Sequence, residues 1–200
     1  MLDMAKSIKN SPKILGLDVS TKTIGVALFD LSSRDLLELT HVSPQPKPTP
    51  ETKIEEMLLK SATFRKKLEE YKGVGVVRCV IEEPLLNSNN AYTIGTLLRY
   101  NTLITKEVYD VLGIVPEYVS TYNSRKEAWP ELVKKNEKGK FVLFGGYPKD
   151  CDKKMIIWEL VAKREPQINW LYTRNNTLKK ENFDMTDAYT VVLSYLNSKN

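Results

Sequence analysis

The stretch KILGLDVSTKTIGVALFD, residues 13–30, constrains the fold more than any other. Two aliphatic runs, 13–19 and 23–30, flank the polar turn STKT, a pattern that predicts an antiparallel β-hairpin. The first run closes on Asp18. An ionised carboxylate at the mouth of a buried strand is costly unless something cationic meets it. The hairpin therefore fixes the start of a sheet and, at the same point, asks for a cation.

A third strand is expected at 35–42, DLLELTHV. The proline-rich linker 43–50 follows, its last proline, Pro50, expected as the first residue of a helix capped by Thr49. From Glu51 to Tyr71 the apolar residues Ile54, Met57, Leu58, Phe64, Leu68 and Tyr71 recur at helical spacing. GVGVVRCVIEEP is a near-continuous apolar run of the kind that parallel sheets bury on both faces, and it ends on Glu82 and Glu83 before Pro84 stops it. NSNN then caps a helix over Asn90 to Leu112, and GIVPEYVS reads as another short strand. Apolar positions on that helix serve a core, with a subunit interface as the second use. CDKKMIIWELVAKR carries Ile156, Ile157, Leu160 and Val161 on one helical side, and NFDMTDAYTVVLSYL is a closing helix. A hairpin followed by strand, helix, strand crossovers predicts a single α/β domain whose mixed sheet pairs its first three strands antiparallel and its last two parallel. Residues 124–150 are the least regular and are expected to be an insertion.

Composition narrows the chemistry. Among 200 residues there is one histidine, His41, and two cysteines, Cys79 and Cys151, without repeated spacing. Paired-histidine, His-Cys and Ser-His chemistries have little material here, so any catalysis falls to carboxylates. Neither a disulfide framework nor a zinc knuckle is expected, which suits a reducing compartment. The 30 Lys and Arg against 25 acids give a formal charge of +5, which favours a polyanionic partner without demanding one. No apolar run approaches a membrane span, and a soluble cytoplasmic protein without membrane partners is expected.

Asp184 and Asp187 stand three apart at the start of the last helix and so project from one side of its first turn. Taken singly, each acid also fits a plain role: a helix-dipole partner, a turn closer or a strand-end surface charge. Their order along the chain is what changes the reading. An Asp ending the first strand, a Glu ending the first crossover strand and Asp-x-x-Asp opening a C-terminal helix resemble the RuvC family of Holliday junction resolvases, within the RNase H-like superfamily. ILGLDVSTKTIGVAL is similar to that family's first hairpin, with Gly25 at the matching distance. VIEEPLLNSNNAYTIGTLL resembles its Ile-Glu strand end and following helix, with Ile94-Gly95 as a Leu-Gly-like step. EYV at 117–119 is similar to the next strand, and DMTDAYTVVLSYL to its Asp-x-x-Asp-Ala helix.

The resemblance implies an RNase H-like five-stranded sheet flanked by helices, and metal ligands at Asp18, Glu82, Asp184 and Asp187. Glu83 is the alternate for Glu82. Hard oxygen donors suit two Mg²⁺ or Mn²⁺ ions roughly 3.5–4 Å apart, which activate water and stabilise the leaving oxygen of a phosphodiester. Without metal such acids repel one another and some take up protons. The resemblance further implies cutting of four-way or branched DNA to 5′-phosphate and 3′-hydroxyl ends by a homodimer, and a lysine on the penultimate helix near the cut phosphate. Lys154 fits that role, with Ile157, Leu160 and Val161 following at three, six and seven; Lys153 is second. Arg125, Lys126, Lys134 and Lys135, after the strand that borders the site, are candidate phosphate contacts. The basic run at 65–67 reads as surface charge.

Three departures stand out. Ser20 replaces a glycine usual in bacterial relatives, Leu85 takes the place of an aromatic residue that some relatives set against unpaired bases, and the 124–150 segment is longer, as in divergent phage resolvases. Other readings compete. LGLDVSTKTIGVALFD and FGGY at 144–147 also resemble actin-like sugar kinases, but the chain is too short for their two lobes and lacks a second phosphate hairpin. A catalytically silent junction-binding protein and a sibling nuclease acting on flaps, other branched DNA or RNA-DNA hybrids share the fold.

Overall fold

The computed structural model describes residues 11–84 and 90–199. Strands β1 (Lys13–Val19), β2 (Ile24–Asp30) and β3 (Leu36–Val42) form an antiparallel meander, followed by helix α1 (Lys53–Glu69), β4 (Val76–Glu83), α2 (Ala91–Leu112) and β5 (Glu117–Ser120). Helix α3 (Thr121–Ala128), a 3-10 turn at Pro130–Leu132 and a small hairpin of β6 (Val133–Lys135) and β7 (Phe141–Leu143) come next, then α4 (Lys153–Arg164) and α5 (Glu181–Ser198). The main sheet has the order β3-β2-β1-β4-β5, with β4 parallel to β1 and β5 parallel to β4. The mixed sheet expected from the sequence is therefore present.

β1 is the central strand and is buried on both faces, which is why its sequence is almost continuously apolar. Leu15, Leu17 and Val19 join Val26, Leu28, Phe64, Leu68, Tyr100 and Ile104 in one core, under α1 and α2. Ile14 points the other way, into a second core with Ala27, Phe29, Ile157, Val161 and the α5 residues Ala188, Tyr189 and Val192. The sheet is thus the middle of three layers. The segment expected as an insertion contributes Ala128, Trp129, Leu132 and Phe144 to this second core, and Trp129 Nε1 donates to Thr190 Oγ1 of α5 at 3.1 Å.

Local chemistry sets the helix ends. α2 starts where Asn90 Oδ1 accepts from the amides of Tyr92 and Thr93, and stops at Gly113, whose φ of 70° suits a residue without a side chain. The helix after the linker begins later than expected. Thr52, not Thr49, is the cap, because its hydroxyl accepts from Glu55 N while Glu55 Oε2 accepts from Glu51 N, a pairing available only with a Glu three residues on. Ile54 and Leu58 of that helix are exposed, whereas Met57, Phe64 and Leu68 are buried. On α2 the residues Tyr100, Ile104, Val108 and Val111 face the core, and Tyr92, Leu98 and Tyr109 are exposed. Among the described residues no helix is long and apolar enough to cross a membrane.

Two glycines let α5 lie directly on the sheet. A Cβ at Gly16 would stand 2.2 Å from Val192 Cγ2 and 2.7 Å from the Ala188 carbonyl oxygen; one at Gly25 would stand 1.9 Å from the carbonyl oxygen of Asp184. Gly25 is the cross-strand partner of Asp18. We expect Gly25→Ala to lower stability in urea unfolding by about 3 kcal/mol or more, because backbone on both sides must give way. Gly95→Ala, in α2 with open space around it, is expected to raise stability by up to about 1 kcal/mol. Similar effects at the two positions would refute the close approach.

Candidate active site

The strand alternation decides which acids meet. In β1 Asp18 shares the α5-facing side with Ile14 and Gly16. In β4 Val80 belongs to the α5-side core while Cys79 and Ile81 belong to the other, so Glu82 turns toward α5 and Glu83 away from it. The parallel register pairs Leu17 with Ile81, which makes Asp18 and Glu82 the next residues in line. Glu83 is exposed and also borders a small cavity with Leu98, Asn101 and Tyr118. From the opposite side α5 brings Asp184 in its first turn and Asp187 in its second, one turn later than the shared first turn expected for the pair. All four acids line one open cleft of about 610 Å³.

Two cations enter the same cleft. Lys154 Nζ lies 3.3 Å from Asp187 Oδ2, and Arg125 Nη2 lies 3.1 Å from Asp187 Oδ1. Lys154 arrives because Ile157 and Val161, three and seven residues further along α4, are fully buried against α5. Lys153 instead places its ammonium 5.8 Å from the Phe144 ring centroid, although it too borders the cleft. Thr121 Oγ1 donates to Glu82 Oε1 at 2.7 Å, whereas Glu82 Oε2 and Arg125 Nε are buried without a hydrogen-bond partner.

Burial and mutual repulsion shape the ionisation of these groups. Asp18 is held well above the usual carboxylate range, first by burial and then by Glu82, Asp187 and Asp184, with Lys154 opposing. Glu82 is pushed up to about 7 by burial and by Asp187, against the Thr121 hydrogen bond and the charges of Arg125 and Lys154. Asp184 is pushed up to about 6, chiefly by burial, with Lys154 pulling it down and Asp187 and Glu181 pushing it up. Burial works against the Lys154 ammonium, yet Asp187, Asp18 and Asp184 raise its pKa.

The remaining sequence candidates lie elsewhere. Lys134 and Lys135 sit over the rings of Tyr147 and Phe141, and Lys126 pairs with Glu127 at 3.6 Å, none of them at the cleft. Leu85 lies outside the described residues. Arg125, expected as a phosphate contact, is here an ion-pair partner of an acid. Thr121 and the loop 149–152 at the cleft wall were not anticipated. For Thr121 a signal existed, since a hydroxyl residue directly after a parallel strand stands at the same sheet end as the acids.

The donor set is chemically suited to a hard divalent ion: carboxylate oxygens only, one of them, Glu82 Oε2, buried and unsatisfied. Among the described residues, however, no group of three or more acids, histidines or cysteines is drawn together tightly enough to hold a metal ion. Asp187 is instead engaged by Arg125 and Lys154.

No protein-family model matches the sequence, and no curated protein matches it. Solved structures do. Thermus thermophilus RuvC is similar over 94% of this chain and 95% of that one, at 13% identity and a TM-score of 0.55. The same protein in complex with a Holliday junction substrate gives 12% identity and a TM-score of 0.57, over 94% and 95% of the two chains. The yeast mitochondrial Holliday junction resolvase Ydc2 is similar over 95% of this chain and 81% of its own, at 12% identity and a TM-score of 0.55. At such identities the likeness is one of fold, and the fold is the RNase H-like one of RuvC-type resolvases.

Carboxylates whose pKa is raised in the fold give a definite pH signature. Between the ordinary Glu value of 4.5 and about 7, the folded chain holds a proton at Glu82 that the unfolded chain has released. Stability without divalent ions should therefore fall as pH rises through that window, by an amount on the order of 2–3 kcal/mol from Glu82. Glu82→Gln should make the fall shallower, leaving the part that Asp18 and Asp184 contribute; thermal melts in a chelating buffer from pH 4 to 8 measure both.

Proposed function

We propose that this chain is a divalent-metal-dependent endonuclease that cuts branched DNA, and that four-way junctions are its substrate. The observation that carries the reading is the convergence of Asp18, Glu82, Asp184 and Asp187, from three separate elements, on one cleft beside Lys154. The RuvC-like fold supports it, since the solved relative in complex with a Holliday junction shares that fold.

In this reading Asp18, Glu82, Asp184 and Asp187 would close on and hold two Mg²⁺ or Mn²⁺ ions, once Asp187 gives up part of its pairing with Arg125 and Lys154. When bound, such ions supply an activated water on one side of the phosphodiester and charge stabilisation of the leaving oxygen on the other. The chain's own groups do the rest. With ions bound, Glu82 and Asp18 would be acceptor-only carboxylates, their protons released to solvent. The pairing that Asp187 gives up would leave the Lys154 ammonium, half exposed at the cleft mouth, free to meet a non-bridging phosphate oxygen. Arg125, largely buried, keeps Asp187 oriented. Cutting leaves 5′-phosphate and 3′-hydroxyl ends. A two-fold dimer presents two clefts to the symmetric strands of a junction and so makes paired nicks.

The test is a nicking assay on four-way junctions, flaps and linear duplex with added Mg²⁺ or Mn²⁺. Paired nicks on the junction are expected, abolished by chelator. Asp18→Asn should reduce cutting by about a hundredfold or more while junction binding persists, because the substitution removes a metal-binding charge and no DNA-facing cation. Equal cutting of plain duplex would argue for a less selective nuclease, and ATP turnover without nicking would argue against the reading altogether.

A further inference from the structure

A second cleft, of about 820 Å³, draws on the same two elements as the acid cleft: Ser20 of the β1–β2 turn and Asp184 of α5 line the acid cleft, and Lys22 and Thr23 of that turn with Glu181 of that helix line this one. Its walls come from Lys22 and Thr23 of that turn, residues 43–46 of the proline-rich linker, Glu56 and Lys60 of α1, and the segment 177–181. We propose that this groove binds the phosphodiester backbone of the DNA arm that runs on from the acid cleft, which deepens, and rests on, the nuclease reading above.

Charge is the first argument. The groove carries Lys22, Lys60, Lys179 and Lys180 against Glu56 and Glu181. Glu56 is already neutralised, 2.5 Å from Lys53 and 2.6 Å from Lys60. Lys60 is committed as well, since it also donates to the Thr21 carbonyl at 2.8 Å and so braces the turn. Lys22, Lys179 and Lys180 are exposed and form no ion pair among the described residues. The acid cleft next door is the reverse, with Asp18, Glu82, Glu83, Asp150, Asp152, Asp184 and Asp187 against four cations. A polyanion reaching those acids needs compensating positive charge within about a Debye length, roughly 8–10 Å, and the groove supplies it one helical turn from Asp184.

Rigidity is the second argument. Residues 171–180 are a tight hairpin, not a slack connection: Tyr172 bridges Leu178, Thr173 N donates to Thr177 O at 2.8 Å, and Lys179 N donates to Leu171 O at 3.0 Å. Asn182, fully buried, clamps its base. Its side chain accepts from Leu171 N at 3.0 Å and donates to the carbonyls of Leu171 at 2.7 Å and Lys179 at 3.0 Å. Lys179 and Lys180 are thereby held in fixed relation to Asp184, two residues beyond the clamp. Such a preorganised pair meets phosphates without the ordering cost of a loose loop.

The experiment measures binding of the full chain to a four-way junction in chelator, so that no cutting intervenes, across 50–200 mM salt. The triple variant Lys22→Ala, Lys179→Ala, Lys180→Ala should bind roughly tenfold or more weakly, with the slope of log K against log salt reduced by about 2–3, near 0.7–0.9 for each phosphate no longer neutralised. Lys66→Ala with Lys72→Ala, at the far end of the sheet, should leave slope and affinity unchanged, and Lys→Arg replacements in the groove should retain them. If the wild type binds and nicks junctions but the triple variant shows the same slope and affinity, the groove proposal is overturned and the nuclease reading stands. If the wild type neither binds nor nicks branched DNA, the nuclease reading fails and takes the groove with it. Circular dichroism of the variants separates weakened binding from a failure to fold.

Discussion

Everything at the candidate site depends on how closely α5 approaches the β1–β2 hairpin. Gly16 and Gly25 leave no side chain between helix and sheet, so the backbone of Asp184 sits against Gly25 and that of Ala188 against Gly16. Glycine in a strand interior costs entropy and packing. The cost is offset by what the contact buries: Ile14, Ala27 and Phe29 meet Ala188, Tyr189 and Val192, with the rings of Phe29 and Tyr189 at 5.1 Å. A helix standing one methyl group further out would carry Asp184 and Asp187 away from Asp18 and Glu82. The packing and the chemistry are set by the same contact.

That contact brings together groups that resist being brought together. Two ionised carboxylates 4 Å apart in surroundings of intermediate polarity repel by about 4 kcal/mol, and partial burial adds the loss of hydration. The fold answers in two ways. Arg125 and Lys154 divide the two oxygens of Asp187 between them, and Asp18, Glu82 and Asp184 ionise only at raised pH. The well-packed cores on both faces of the sheet supply the stability that this corner does not. Low polarity that is unfavourable to the empty acids also strengthens whatever cation and phosphate interactions the cleft makes.

The parts of this arrangement that were legible in the sequence are those written in short-range periodicity. β1, β2, β3 and α2 lie within a residue of where the patterns put them, and, once the resemblance asks for a lysine on the penultimate helix, the spacing to Ile157, Leu160 and Val161 selects Lys154. Asp18 and the pair on α5 stood out through their order along the chain, which is what resembles the resolvase pattern; singly, each fits a turn or a helix start. The choice between Glu82 and Glu83 did not follow, because a strand buried on both faces has no polar alternation to reveal which parity points where; only Val80 in one core and Ile81 in the other fixes it. Thr52 displaced Thr49 as a cap through a glutamate three residues on. The pairing of Arg125 with Asp187 and the groove walls were hidden for a different reason: they arise through packing of α3 on α5 and of the 171–180 hairpin on Asn182, contacts between distant segments that leave no local pattern.

The charge distribution then acquires a physical logic. A chain with a formal charge of +5 concentrates seven acids around one cleft, and that cleft taken alone would repel a nucleic acid. Protons, divalent cations and the two resident cations are alternative ways to balance the same carboxylates. A proton at Glu82, whose carboxyl is pushed up to about 7, lowers the negative charge below its formal value near neutral pH, so the acid-lined cleft is less repulsive than its composition states. Replacing protons by doubly charged ions would overturn the sign of the local potential altogether and release Lys154 from Asp187. On the proposed nuclease reading the raised pKa values would not be incidental to the site: they would let one set of side chains persist in the folded protein without metal and become fully anionic when a divalent ion binds.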